Sequence, residues 1–375
     1  MNFVELSEAE IKKLNFACGN FLQSWEMYQR YGQIGRESYF VGVKDAHDTV
    51  LAAGLMTARP WHFGKKVFRV AGGWLMDYGS ANTKSVLEFL TAQAREFCRK
   101  KSGIALEIAP NIIARPRDAH NQVVAGEDNL NIKAELENLG YKYLGEFEQA
   151  KWTFTLTVAG KTAEELFKAF RTDHRQRIRR AERDGVRVRE LGIDELGVLK
   201  EIAAEAGERH GFQDPDLMYY RSMKEAFGDK IKFVVAEMPT KGLEAQSGVS
   251  GRSEGKTLEK ASGEPTGQYV PLAAAMFVND GREIVYLYSG SVRKLQKYGG
   301  AHLIQWKMIQ EAIETGCEKY NFYGVYPVEG NGVYNFKLGF RGQVEELLGT
   351  FVLPLGLLGK LYAARLKPRE YGAIH

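Results

Sequence analysis

Apolar positions along this chain follow two periods. Short runs rich in Val, Ile, Phe and Tyr read as strands. In the first half these are 39–45 (YFVGVKD), 50–60 (VLAAGLMTARP), 68–78 (FRVAGGWLMDY), 104–110 (IALEIAP) and 139–147 (LGYKYLGEF). In the second half they are 232–238 (KFVVAEM), 270–280 (VPLAAAMFVND), 283–291 (EIVYLYSGS), 319–325 (KYNFYGV) and 338–347 (LGFRGQVEEL). Between the third and fourth runs of each half the period changes to helical. Leu87, Leu90, Ala94 and Phe97 share one face of 85–101, and Ile304, Met308, Ala312 and Ile313 one face of 302–316.

The order of these elements repeats. Each half reads as a hairpin containing Leu-Ala-Ala (51–53 and 272–274), a third strand, an amphipathic helix and a fourth strand. Leu139-Gly140-Tyr141 matches Leu338-Gly339-Phe340 in order and setting. The pattern implies a duplicated α/β unit with layers of strands and helices. The predicted domains are 1–160 and 161–350, with a C-terminal tail at 351–375.

The stretch between the two sets of strands, about 160–230, reads as helical. Thr162 with Glu165 three residues on forms a capping box before AEELFKAF. A second helix, Asp194 to Arg209, turns Leu196, Leu199, Ile202 and Ala206 inward. Residues 240–267 are rich in Gly, Ser, Lys and Glu and nearly lack large apolar groups. Such a run buries too little surface to offset its ordering entropy. It reads as a disordered hairpin insertion without a catalytic role. The tract Phe351–Leu358 (FVLPLGLL) is too short to span a bilayer. It reads as a terminal strand and turn, with contact to a lipid surface as the alternative.

Charge changes this picture little. The formal net charge of the 375-residue chain is +4, so nucleic-acid contact requires local basic patches. Cys18, Cys98 and Cys317 are far apart and odd in number, which argues against a disulfide framework and a zinc site. The N-terminus lacks the pattern of a secretory signal. The expected location is the cytoplasm, with no metal and no cofactor.

Four stretches carry candidate chemistry. Residues 171–189 hold eight arginines, and Arg175, Arg179 and Arg183 follow the helical i, i+4 spacing. Guanidinium forks match phosphate oxygens, so this is either a polyanion site or a solvated helix face. Gln296, Gly299 and Ala301 fit the loose Q/R-x-x-G-x-G/A pattern by which acetyltransferases hold the CoA diphosphate on backbone N–H groups. A plain strand-to-helix loop is the stronger reading there. Lys337 lies beside Phe336, and a cation among aromatics at a strand edge can stabilise developing negative charge; a lone loop lysine is more often solvated. His210 can serve as a base, but a histidine before a glycine is more often part of a helix C-cap.

These segments also resemble, in order, the FemABX peptidoglycan-bridge aminoacyltransferases. The resemblance rests on 21–32 (FLQSWEMYQRYG), 170–188 (FRTDHRQRIRRAERDGVRV), 208–220 (ERHGFQDPDLMYY), 286–291 (YLYSGS), 316–325 (GCEKYNFYGV) and 334–344 (YNFKLGFRGQV). It covers nearly the whole chain. It implies two domains of the GCN5-related acetyltransferase (GNAT) fold. It also implies transfer of an amino acid from aminoacyl-tRNA to the stem-peptide amine of a peptidoglycan precursor. The precursor is either soluble UDP-MurNAc-pentapeptide or its lipid-linked form, lipid II, reached by peripheral contact with the inner membrane face.

By the same resemblance Phe336 and Lys337 face the donor ester as the catalytic pair. Substrate contacts fall to Trp25, Arg30, Tyr219 and Tyr288, with Arg175, Arg179 and Arg183 as a basic surface. Two positions differ from the family pattern. Pro215 stands where a member using the soluble precursor has a second diphosphate-binding arginine, and Ala109 replaces an acidic residue. The rival readings are an acetyl-CoA-dependent N-acetyltransferase of the GNAT type and a non-catalytic protein that binds tRNA or a cell-wall precursor.

Overall fold

The fold is seen in a computed structural model that describes residues 1–126, 128–210, 215–240 and 269–367. The insertion expected at 240–267 lies outside these residues apart from Thr240. Gly211 and Phe212, and the side chains of Ala206, Arg209 and His210, lie outside them too.

The chain divides into two compact units. The first comprises Met1–Thr153 and the segment from Val344. Its strands are β1 (Asn2–Glu5), β2 (Ser38–Lys44), β3 (Val50–Pro60), β4 (Lys66–Val70), β5 (Leu75–Met76), β6 (Gly103–Ile108), β7 (Ile113–Pro116), β8 (Lys142–Gly145), β15 (Gln343–Leu347) and β16 (Thr350–Pro354). The main sheet runs β1-β2-β3-β4-β6-β16-β8. Strands β1 to β4 are successive antiparallel neighbours. Strand β6 is parallel to β4, in register from Val67↔Ala105 to Val70↔Ile108. That parallel step needs a crossover, and the helix Thr83–Lys100 supplies it. Its residues Val86, Leu87, Leu90, Ala94 and Cys98 pack on Met56, Phe68 and Leu106.

Alternation along the strands sends Val67, Ala105, Leu144 and Val352 to the opposite face. There they meet Tyr362 and Ala363 of the helix Gly356–Arg365. Strands β15 and β7 pair antiparallel.

The second unit is Phe154–Gln343. It holds most of β9 (Trp152–Thr157), then β10 (Arg187–Glu190), β11 (Ile231–Pro239), β12 (Tyr269–Asn279), β13 (Glu283–Ser291) and β14 (Lys319–Gly324), in sheet order β10-β11-β12-β13-β14-β9. The repeat read in the sequence is present. Antiparallel β11, β12 and β13 are followed by the helix Gly300–Glu314 and by β14 parallel to β13. The two Leu-Ala-Ala segments lie in the equivalent strands β3 and β12. Strands β11 and β12 pair as far as Pro239↔Tyr269, at the base of the insertion. Thr162 and Glu165 form the reciprocal capping box of the helix Ala163–Ala169.

The division falls at Thr153/Phe154 and Gln343/Val344, where the sequence reading placed it near 160 and 350. Residues 351–354, assigned to the tail, belong to β16, a strand between β6 and β8. The strand was legible, but its partners lie far away in sequence. All three cysteines are buried, and none forms a disulfide among the described residues. Among the described residues no helix is long and apolar enough to cross a membrane, and no cluster of His, Cys, Asp or Glu could hold a metal ion.

Candidate active site

The parallel strands part in the second unit. Pairing of β13 with β14 ends at Val285↔Asn321, although β13 continues to Ser291 and β14 to Gly324. In the first unit the equivalent β4 and β6 stay paired to their ends. Where β14 leaves its neighbour, Tyr323 takes a left-handed conformation with φ of 60°. A tyrosine pays steric energy in that region, and such strain concentrates at functional sites.

Lys337 reaches this point. It sits on the short helix Gly332–Leu338, N-capped by the Asn331 side chain. Its Nζ donates to the carbonyl oxygens of Tyr323, at 3.3 Å, and Gly324. The side chain is buried, and burial lowers its pKa from 10.5 to about 7. The expected solvated loop lysine is thus a desolvated amine held against two successive carbonyls at the end of β14.

Beside it is a pair of histidines that sequence reasoning missed. His174 and His302 stand edge to face with ring centroids 4.7 Å apart. Phe336 contacts both rings, at 5.8 Å and 4.9 Å, and Phe340 lies 4.8 Å from His174. Nε2 of His174 is 2.9 Å from the carbonyl oxygen of Phe336. A carbonyl only accepts, so Nε2 carries the hydrogen. Nδ1 is buried 3.4 Å from Asp173 Oδ1 without making a hydrogen bond. Burial lowers the pKa of His174; burial, with His174 and Arg177 nearby, lowers that of His302 to about 3. Both shifts favour the neutral imidazole. Their positions in TDHRQ and GGAHL were the available signal, hidden inside segments read for arginines and for a diphosphate loop.

Gly339 makes room for this arrangement. An added Cβ would stand 2.0 Å from Nε2 of His174. The Gly339 carbonyl accepts from the backbone N–H of Arg171 at 2.9 Å, which ties the start of the arginine helix to the Phe336–Lys337 turn.

Tyr219 and Tyr288 are brought together, ring centroids 5.7 Å apart, with Tyr220 against both. Asp216 caps the helix of Tyr219 by accepting from its N–H. Arg175, Arg179 and Arg183 lie on one helix, Thr172–Arg183, whose buried face is His174, Ile178 and Ala181. Arg175 donates to the Lys168 carbonyl and the Thr172 hydroxyl. Arg179 lies over the Phe167 ring, and Arg183 is 3.5 Å from Asp184.

The glycines of the Gln296–Ala301 loop have packing roles. A Cβ at Gly299 would meet the Arg177 carbonyl oxygen at 2.7 Å, and one at Gly300 the Leu272 Cβ at 2.8 Å. Gln296 donates to the Ser291 hydroxyl. Trp25 and Arg30 belong to the first unit, on the helix Trp25–Gln33. Arg30 is buried with its guanidinium 6.0 Å from the Tyr31 ring, and Trp25 is partly buried under Lys12.

The model of the FemAB family matches residues 11–247 and 244–364. The chain belongs to the FemAB family. It is 24% identical to the aminoacyltransferase FemA of Staphylococcus epidermidis over 404 residues, covering 95% of this chain and 96% of that protein. A crystal structure of FemX superimposes with a TM-score of 0.76 at 18% identity, over 97% of this chain and 100% of that one. A tandem GNAT protein from the clavulanic acid biosynthesis pathway gives a TM-score of 0.56 at 12% identity, over 95% and 99%. The two units of this FemAB protein are therefore tandem GNAT-like domains, and the protein is an acyltransferase.

Proposed function

We propose that this FemAB protein works in the cytoplasm, taking an amino acid from aminoacyl-tRNA and joining it to the stem-peptide side-chain amine of a peptidoglycan precursor. The observation that carries the reading is Lys337, a buried amine with its pKa near 7 at the point where β13 and β14 part. Family membership supports the acyl-transfer class.

The donor is an activated ester, so the chain's task is orientation and charge stabilisation. The neutral acceptor amine attacks the ester carbonyl. The C–N bond forms, and negative charge grows on the carbonyl oxygen. Lys337, as ammonium, stabilises that charge. As the C–O bond to the ribose breaks, the same group is able to give a proton to the leaving oxygen and recover one from the attacking amine. The neutral His174 and His302 hold the Phe336 turn without adding competing charge. Tyr219 and Tyr288 are the proposed acceptor contacts, and Arg175, Arg179 and Arg183 the proposed tRNA surface.

The test is incubation with mixed radiolabelled aminoacyl-tRNAs, supplied with UDP-MurNAc-pentapeptide or lipid II, against a parallel reaction with labelled acetyl-CoA. Label on a precursor from charged tRNA alone is the expected result. Label from acetyl-CoA alone, or binding of both substrates without transfer, overturns the reading.

A further inference from the structure

The C-terminal helix Gly356–Arg365 is fixed to the first unit by its inner face. A Cβ at Gly359 would stand 2.1 Å from the Ile104 carbonyl oxygen, so the helix lies closer to β6 than any other residue would allow. One turn on, the Tyr362 hydroxyl donates to Oε1 of the buried Glu107 at 2.6 Å, and an Arg59 nitrogen is 3.2 Å from that hydroxyl. Ala363 completes the buried side. This anchoring sets which side chains point away. Leu357, Leu361 and Ala364 follow at i, i+4 and i+7 on the outward side, with Leu357 75% and Leu361 53% exposed. Leu358 flanks them at 43%. The leucines are presented outward by a rigid mount.

A second exposed apolar group stands beside the helix. In the turn joining β3 to β4, Phe63 is 99% exposed and has φ of 55°. A phenylalanine in the left-handed region, with its whole ring in water, is costly in both conformation and solvation. The turn is closed by Trp61 N–H donating to the Lys65 carbonyl at 2.7 Å. Trp61 packs edge-on against Tyr362 at 6.2 Å and, with Leu366, against the small core beneath the helix. Loop tip and helix thus share one support.

The charge around this patch is positive. Lys360 borders the leucine stripe on one side and Arg365 on the other, and Lys367 follows just past the helix; all three are exposed and without an ion pair among the described residues. Lys65 follows Phe63 within the turn. The acids of this face are already engaged: Glu107 with Tyr362, and Glu148 with Arg59 and Arg69. An apolar stripe bordered by long cations is the pattern of a helix lying in a bilayer interface. The leucines enter the acyl boundary, while lysine and arginine stems extend to anionic headgroups.

We infer that the turn Trp61–Lys65 and the outer face of Gly356–Arg365 form a docking surface for an anionic lipid bilayer, with Phe63, Leu357 and Leu361 inserted and Lys360, Arg365 and Lys367 at the headgroups. The inference rests on the first unit alone and does not depend on the transfer chemistry.

The test is vesicle flotation of the full chain, with phosphatidylcholine alone and with added phosphatidylglycerol. The wild type should partition onto the mixed vesicles and much less onto the neutral ones. F63S/L357S/L361S should bind about tenfold more weakly or less. K360Q/R365Q/K367Q should lose the preference for phosphatidylglycerol and the dependence on salt. All six side chains are exposed, and circular dichroism checks that the fold persists; F63S, a change at a loop tip, is the single-site control expected to weaken binding. Equal partition onto both vesicle types overturns the proposal, as does wild-type binding by the serine variant. Sedimentation supplies the remaining outcome: a dimer of the wild type that F63S/L357S/L361S abolishes assigns the face to a second copy and overturns the lipid reading.

Discussion

The imidazole of His174 fills the space that any side chain at Gly339 would need. An added Cβ would lie 2.0 Å from Nε2 and 2.1 Å from Cε1, yet Gly339 itself has an ordinary right-handed helical backbone with φ of −64°. The glycine is there for contact. Its counterpart Gly140 is different, with φ of 92° and no atom within 3.4 Å of an added Cβ. One position requires space and the other requires a left-handed turn.

A double-mutant cycle separates the two. Gly339→Ala forces the ring off the Phe336 carbonyl and should destabilise the fold by about 1–3 kcal/mol. His174→Ala vacates the space, so Gly339→Ala should cost far less in that background, a coupling of about 1 kcal/mol or more. Gly140→Ala should show no coupling to His174. Thermal unfolding of the single and double variants measures all of these; additive losses at 339 and 174 would remove the contact explanation.

Much of this was legible. The strands were short apolar runs, the two crossover helices kept a single apolar face, and Thr162 with Glu165 announced a helix start. The repeat of these elements then implied the tandem units. The pairing of His174 with Phe336 was not legible, because the two residues are 162 positions apart and meet only through the packing of three elements. The place of β16 was hidden for the same reason, since Phe351 pairs with Ile108. The character of Lys337 depends on burial, which no local pattern around YNFKLGF encodes.

The arginine helix gives a graded prediction. Arg175 is held by the Lys168 carbonyl and the Thr172 hydroxyl, whereas Arg179 and Arg183 are exposed. If the helix contacts tRNA phosphates, Arg179→Gln and Arg183→Gln should each weaken binding and lower the salt slope by up to about one unit. Arg175→Gln should do less. Titrations of labelled tRNA at several salt concentrations give the slopes. An unchanged slope in the triple variant returns the helix to a solvated face.

Glu107 and Tyr362 yield a prediction about pH. Burial raises the Glu107 carboxyl above its usual 4.5, against the opposing effect of the Tyr362 hydrogen bond. The folded state therefore holds a proton that the unfolded chain releases first. Stability from this group is full below pH 4.5 and falls as pH rises toward the folded pKa. Glu107→Gln keeps an acceptor for Tyr362 and should flatten that fall. Tyr362→Phe removes the donor and should cost about 1–3 kcal/mol. Denaturant unfolding between pH 4 and pH 7 checks both; a wild type and Glu107→Gln with parallel pH profiles would contradict the assignment.

Lys337 links stability to catalysis with opposite signs. Burial lowers its pKa from 10.5 to about 7. Below pH 7 both folded and unfolded chains carry the proton, and the folded state bears the full cost of a buried charge. Between pH 7 and pH 10.5 the unfolded chain binds the proton that the folded chain has lost, so stability rises with pH across that window. Lys337→Met removes the charge at similar length. It should raise the unfolding temperature at pH 6, with the gain shrinking toward pH 10. The same substitution should lower kcat by about 10²-fold or more while leaving acceptor KM nearly unchanged, because the charge it opposes exists only in the transition state. The ammonium role also demands that the Lys337-dependent part of kcat fall as pH rises through about 7. A rise through that pH would assign the neutral amine as a base. A higher donor KM with kcat preserved at saturation would assign it to tRNA phosphate, and no change in either constant would move the search for the cation to the arginines of 171–189.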